Sequence, residues 1–307
     1  MVDDLRWAWT VWAAACGWLA TATVLAARRR PGPGELAGWA RRHGLTDLDR
    51  EQGRLVERYL RRSRWFRTLG GAVPFLAATL PYALWASIRG LPTPAALHAL
   101  GPRSWLGGYM LGVLVAEYTW PRPHPATVRS AALAPRRLVD YLPAWVIAAQ
   151  RLTALATVAL VAAVAWLPVT PAAAGLHGAL LTGREGALAN AAVAVGSVLA
   201  VESLLRRVVR RPQPVTTAES LAVDDALRST SIHAAAGAGL AVVLLTLSLQ
   251  LDLLAASTRI HPAASAAAWL TWAGVAAALA SWVRVGHPRW APVRLRLPRA
   301  RAGTGGA

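Results

Sequence analysis

The sequence predicts an all-α, polytopic transmembrane helix bundle of about seven spans, with the N-terminus outside, the C-terminus cytoplasmic and a cytoplasmic helical hairpin after the first span. Three observations predict it. Seven apolar stretches recur along 307 residues, 55% of them hydrophobic, with a mean hydropathy of +0.37. All 33 basic residues are arginine, and 28 of them fall on one side of the topology that the stretches imply. Tryptophans mark the ends of the stretches, where an amphipathic indole prefers the headgroup zone.

A hydrocarbon slab about 30 Å thick demands about 20 apolar residues in a helix that satisfies its own backbone. By that measure the spans are residues 7–27, 71–87, 104–120, 144–169, 187–204, 233–254 and 264–283. The second and third are short, and Pro74 and Pro81 interrupt the second, so six or eight spans also fit. Orientation follows from arginine, because a guanidinium beside a helix end is retained on the cytoplasmic face. Segments 28–70, 121–143, 205–232 and 284–307, with Arg151, hold 28 arginines, whereas the opposite segments hold Arg6, Arg89, Arg103, Arg184 and Arg259. Asp3 and Asp4 precede the first span and Arg28, Arg29 and Arg30 follow it, which suits an uncleaved reverse anchor better than a signal peptide. The chain thus divides into a stub with the first span (1–27), the hairpin (28–70), a six-helix transmembrane region (71–285) and a basic, disordered cytoplasmic tail (286–307). The expected location is a bacterial plasma membrane.

A formal charge of +18 raises the question of nucleic acid, but the arginines cluster at span ends. There anionic headgroups supply counter-charge at about 1 kcal/mol per arginine. Anionic membrane lipid is therefore the expected partner and nucleic acid is not; a cytosolic protein or a second copy are further candidates. Trp7, Trp9, Trp85, Trp105 and Trp166 fall at outer ends and Trp120, Trp145 and Trp282 at inner ends, while Trp18, Trp269 and Trp272 sit deeper and are expected to pack. Cys16 is the single cysteine, which excludes an intrachain disulfide and a multi-cysteine metal site. No cofactor is expected.

Within the hairpin, Glu35 to His43 reads as a short helix ended by Gly44, and Thr46 with Asp49 starts a second in capping-box fashion. Leu48, Leu55, Val56, Tyr59 and Leu60 share a stripe bordered by Arg50, Arg54, Arg58, Arg61 and Arg62. Such a helix can lie on the inner leaflet, dock a partner or pack against the other inner loops.

One tetrapeptide pattern occurs three times, each time after a span that enters the cytoplasm: Arg30-Pro31-Gly32-Pro33, Arg122-Pro123-His124-Pro125 and Arg211-Pro212-Gln213-Pro214. Leu114 and Glu117 precede the second copy as Leu199 and Glu202 precede the third. Proline removes a backbone donor and pushes the residue before it out of the helical region, so the pattern stops helices. It marks either a triplicated hairpin or three independent helix ends.

No glycine-rich phosphate loop, HExxH, GxSxG or paired-carboxylate pattern occurs, so no catalytic residue is assigned. Polar groups inside spans suggest function because they are costly there. Glu117 and Glu202 lie about a turn from the inner ends, within reach of Arg122, Arg206 or Arg207. Gln150 and Arg151 lie deeper in span four and can meet those glutamates. Asn190 stands alone in span five. Structural pairing and an ion or substrate pathway both fit. In the polar segment 223–233, Asp224 and Arg228 are four apart in the favourable acid-before-base order, beside Asp225 and with His233 entering span six. This segment reads as a solvated helix preceding a span or as a pocket facing Arg211. His98, His177 and His261 lack ligand-like spacing. Small residues that let helices approach in lipid occur as Gly108 with Gly112, Ala13 with Gly17, and Ala235, Gly237 and Gly239.

The stretches RRPQPVTTAESLAVDDALRSTSIHAAAGAGLA, APRRLVDYLPAW and GLTDLDREQGRLVERYLRRSRWFRTLGG resemble integral membrane proteins of actinobacteria that form a family with no assigned activity. The resemblance implies a helical membrane protein. It makes Arg211, Pro212, Gln213, Pro214, Asp224, Asp225, Arg228 and His233 part of a motif without a known role. The leading expectation is a non-enzymatic protein of the bacterial cell envelope whose arginine-rich inner face binds lipid or a partner. The alternative is a transport component, a permease-like subunit working with a separate ATPase. A third, enzymatic reading would act on lipid with Glu117 or Glu202 as acid or base.

Overall fold

The computed structural model describes residues 10, 14, 17–19, 21–26, 28–45, 48–88, 94–120, 136–166, 183–211, 218–257 and 261–287. Among these the chain is all-helical, with no strand. The helices are α1 (Pro33–Arg42), α2 (Arg50–Ile88), α3 (Pro94–Tyr118), α4 (Ala144–Trp166), α5 (Gly183–Val209), α6 (Ala218–Ser257) and α7 (His261–Val285). A 3-10 turn, Leu138–Asp140, leads into α4. Among the described residues three helical stretches are long and apolar enough to cross a membrane: Ala144–Ala163, Arg184–Val209 and Ser220–Leu254.

Local chemistry sets the first two helices. Pro33 opens α1, where its missing donor is no loss, and Gly44 ends it with φ at 71°. The capping box of α2 lies one step beyond the predicted one. Asp49 Oδ1 accepts from the amides of Glu51 and Gln52, each at 2.8 Å, and Gln52 Oε1 accepts from the Asp49 amide at 3.2 Å. The carboxylate therefore acts as N-cap rather than as the third residue of the box; Thr46 is outside the described residues.

Two predicted boundaries disappear. The second arm of the hairpin and the second span are one helix of 39 residues, α2. The segment expected to precede the sixth span is the start of α6, 40 residues long. At each place composition changes from polar to apolar while backbone geometry does not.

The glycine pair within α2 serves packing. Gly70 faces Gly108 and Gly112 of α3, with an added Cβ falling 2.6 Å from Gly112 Cα, and a Cβ on Gly112 would meet the Phe66 carbonyl. Pro74 lacks the donor that would have paired with the Gly70 carbonyl, and this oxygen faces Gly108. The small-residue seam foreseen in span three thus joins α3 to α2 of the same chain.

Helix α6 is the central rod, packed against α3, α4, α5 and α7. Its apolar stretch is 83% buried, against 22% for the stretch in α4. A helix apolar all round belongs in a core, whereas α4 and α5 turn Leu152, Leu155, Leu188 and Leu199 outward. Trp269, expected to pack, is 77% exposed, and Trp18 and Trp272 also face outward. The α6–α7 seam is built from small residues instead, with Gly274 against Ser248 and Gly237 against Gly286.

A second, smaller core settles the hairpin. Trp39 and Ala40 of α1 and Val56 and Tyr59 of α2 pack on Val223, Ala226 and Leu227 of α6. The apolar stripe is therefore covered by the chain itself. The polar segment of α6 is likewise no solvated helix, since Arg228, Ser229, Ser231 and Ile232 are buried.

In Gly112→Ala the new methyl meets backbone, and unfolding in detergent should show a loss of about 1–3 kcal/mol. Gly196→Ala, with open space at its Cβ, should instead gain about 0.5–1 kcal/mol. Equal midpoints for the two variants would contradict the α2–α3 seam.

Candidate functional site

The candidate residues gather at the arginine-rich end of the bundle, where α5 stops and α6 begins. Arg228 is 2% exposed on α6. Its Nη1 donates to the carbonyls of Val208 (3.1 Å), Val209 (3.0 Å) and Arg211 (3.0 Å), and its Nη2 to Asp224 Oδ2 at 2.9 Å. The last carbonyls of a helix lack intrahelical partners and carry its negative partial charge. A guanidinium from the next helix meets both needs; its Nε alone finds no partner. The spacing of Asp224 and Arg228 thus builds a buried clamp instead of an exposed pair.

Asp225 faces the other way. Its Oδ1 lies 3.1 Å from Arg136 Nη2 and accepts from the Tyr141 hydroxyl at 3.4 Å, which fastens the turn before α4 to α6. Burial, with the Asp225 charge second, pushes the Tyr141 phenol up to about 12. His233 sets Nδ1 3.1 Å from the Val285 carbonyl and so ties α6 to the end of α7.

The two glutamates matched by the repeat, Glu117 and Glu202, occupy different surroundings. Glu202 accepts from Arg151 at 2.7 Å and from Arg206 at 3.2 Å, linking α4 to α5. Glu117 is 5% exposed. Its Oε1 accepts from the Tyr59 hydroxyl at 2.7 Å, the Ser231 hydroxyl lies beside the carboxylate, and Oε2 has no partner within hydrogen-bond distance. Burial first, then the Glu117 charge, holds the Tyr59 phenol well above its ordinary value, so it stays a donor. Arg67 and Arg211 bring positive charge near the carboxylate. Leu114 is buried where its counterpart Leu199 is exposed. Of the repeat itself, Arg30-Pro31-Gly32-Pro33 leads into α1, whereas Arg122, Pro123, Pro125, Pro212, Gln213 and Pro214 lie outside the described residues.

Glu117, Trp120, Leu204, Arg207, Arg210, Arg211 and Ser231 line a cleft of about 320 Å³, together with Val208. Arg207 stacks over the Tyr118 ring at 4.8 Å rather than pairing with Glu117. Guanidinium groups at the rim and a carboxylate within give the cleft donors for an anion and an acceptor for a donor group.

Four features escaped sequence reasoning. Tyr59 reads as one more apolar stripe residue, although its hydroxyl is the signal that it needs a polar partner when buried. Arg136 has a nearer acid in Asp140, four residues on, so local spacing does not predict its bond to Asp225. Asn190 is not alone, since its Nδ2 donates to Gln250 Oε1 at 3.4 Å. Arg103 pairs with Asp252 at the opposite end of the bundle, where the scarcity of charges is the only hint. Among the described residues no three His, Cys, Asp or Glu side chains group to hold a metal.

In comparisons with known proteins, no family model, no curated protein and no solved structure matches this chain.

Two outcomes test the clamp and the hairpin. Arg228→Ala takes the guanidinium away from the Val208, Val209 and Arg211 carbonyls, of which Val208 keeps only the Arg211 amide at 3.3 Å, and from Asp224, and should lower stability by about 3–5 kcal/mol in thermal unfolding; a loss under about 1 kcal/mol would contradict it. His43 places Nδ1 2.8 Å from the Trp39 carbonyl and Nε2 3.1 Å from the Thr230 hydroxyl, joining α1 to α6. Burial lowers its pKa. The unfolded chain therefore binds the proton more readily, so this stability is full above pH ~6.5 and is lost as pH falls toward the folded value. Hydrogen exchange at Trp39 and Ala40 should quicken over that window in the native chain and lose the added pH dependence in His43→Gln.

Proposed function

We propose that the chain is a non-enzymatic, multi-pass protein of a bacterial plasma membrane whose arginine-rich face, turned to the cytoplasm, holds anionic lipid headgroups. About seven spans, an outer N-terminus, an inner C-terminus and a cytoplasmic α1–α2 hairpin complete the reading. The observation that carries it is a division of surfaces. Helices α4 and α5 present Leu152, Leu155, Val158, Leu188 and Val193 outward along their length, and the last turn of α5 and the two residues after it carry Arg206, Arg207, Arg210 and Arg211. An outward apolar band is stable against lipid and unfavourable against water, and guanidinium groups at its edge match anionic headgroups.

The transport reading, with an ATPase received on the hairpin, finds less support, because α6 occupies the stripe that such a partner would grip. Pairing of Glu202 with two arginines likewise favours a structural role for it over acid–base work on lipid.

Fusions of a fluorescent protein and of a phosphatase active only outside the cell test the orientation. Fluorescence is expected for fusions at Gly44 and after residue 287, and phosphatase activity for fusions in 167–182. The reverse pattern, or recovery of a monodisperse chain without detergent, would overturn the proposal.

A further inference from the structure

We infer that the cleft between the end of α5 and the inner part of α3 binds a phosphate ester whose alcohol side carries a hydroxyl or an ammonium group. This names a ligand class for the arginine-rich face and so rests on the lipid-binding reading, with a test that separates the two.

The positive side of the argument begins with α5. The C-terminus of a helix ordinarily repels anions through its exposed carbonyls. Here Arg228 covers the carbonyls of Val208, Val209 and Arg211, and Arg207, Arg210 and Arg211 line the cleft. The end of α5 therefore attracts an anion, and guanidinium forks match phosphate oxygens in geometry. Arg207 lies over Tyr118 instead of on a carboxylate, which leaves its donors available to a ligand.

Glu117 narrows the choice. An inorganic anion alone would meet its carboxylate inside the same cleft and be repelled. Tyr59 engages Oε1 and the Ser231 hydroxyl lies beside the carboxylate, yet the buried Oε2 has no partner within hydrogen-bond distance and keeps acceptor capacity for a ligand donor. A ligand that satisfies both walls needs phosphate and, a few bonds away, a hydroxyl or ammonium. Trp120 and Leu204 offer apolar contact for the carbons between. The volume of about 320 Å³ sits at the small end of ligand sites, which suits a headgroup or a short polyol phosphate and excludes a nucleotide-sized molecule.

The full chain in neutral detergent can be titrated calorimetrically with four probes: dihexanoyl-phosphatidylglycerol, dihexanoyl-phosphatidylmethanol, glycerol 3-phosphate and inorganic phosphate. The first two carry the same charge, but only the glycerol headgroup has hydroxyls. Phosphatidylglycerol should bind at least about tenfold tighter than phosphatidylmethanol, a difference worth about 1.4 kcal/mol. Glu117→Gln should shrink that ratio to under about threefold, while Arg207→Gln with Arg210→Gln should weaken both lipids about tenfold or more at an unchanged ratio. Glycerol 3-phosphate binding as tightly as the lipid would keep the class and assign a soluble source; weaker binding assigns a membrane source. Equal affinity for the two lipids, preference for inorganic phosphate, or unchanged affinity in the double arginine variant would overturn the inference. The arginines are at the surface, so that variant decides the matter even if Glu117→Gln fails to fold. Binding in detergent is independent of orientation: reversed fusions would move the cleft to the other face without removing it, and absent binding would leave the topology intact.

Discussion

Burying a guanidinium costs several kcal/mol unless oxygens surround it, and Arg228 meets that condition only where α5 stops. The Val208 and Val209 carbonyls at the end of α5 and that of Arg211 just past it converge on Nη1, and Asp224 holds Nη2 from one turn earlier on the same helix. Neither helix can slide along the other without stranding these groups. The clamp therefore sets where α5 ends and which residues of α6 stand beside it. From that follow the cleft behind Arg207 and Arg211, the position of Ser231 next to Glu117, and the orientation of the Val223, Ala226 and Leu227 stripe that receives the hairpin.

Elsewhere the bundle is held by close approach. In a solvent as apolar as the side chains, hydrophobic drive between helices vanishes and contact quality takes over. Glycines at 70, 108 and 112 bring α2 and α3 to backbone distance, and Gly237 and Gly274 do the same between α6 and α7. Large rings are displaced to the perimeter, which explains the outward Trp269 and Trp272. Trp282 stays buried because Tyr109 meets it edge-on and Arg67 lies over its face. Polar pairs such as Asn190 with Gln250 add direction to seams that packing alone would leave free to slip.

The helices were legible in the sequence because apolar runs of 20 residues have few other solutions. Their limits were not, since α2 and α6 continue through the change of composition at residues 70 and 232, and a composition boundary carries no backbone signal. Local contacts followed from spacing: Asp224 with Arg228, and Glu202 with Arg206. Arg151 with Glu202 was foreseeable because both fall at similar depth on neighbouring spans. The bond from Tyr59 to Glu117 joins residues 58 apart, and no periodicity reports such a distance. The cleft depends on that bond and on the clamp, so the sequence named half of its residues without revealing that they share a space.

A rod of 40 residues without a proline is about 60 Å long, twice the thickness of the hydrocarbon slab. Helix α6 therefore outruns any bilayer that encloses its centre, yet Val223, Ala226 and Leu227 in its first turns are buried. What shelters them is the paired hairpin, laid over Val223, Ala226 and Leu227 like a roof on a mast. The hairpin is thus no appendage: it covers the three apolar side chains that the polar start of the rod would otherwise leave bare.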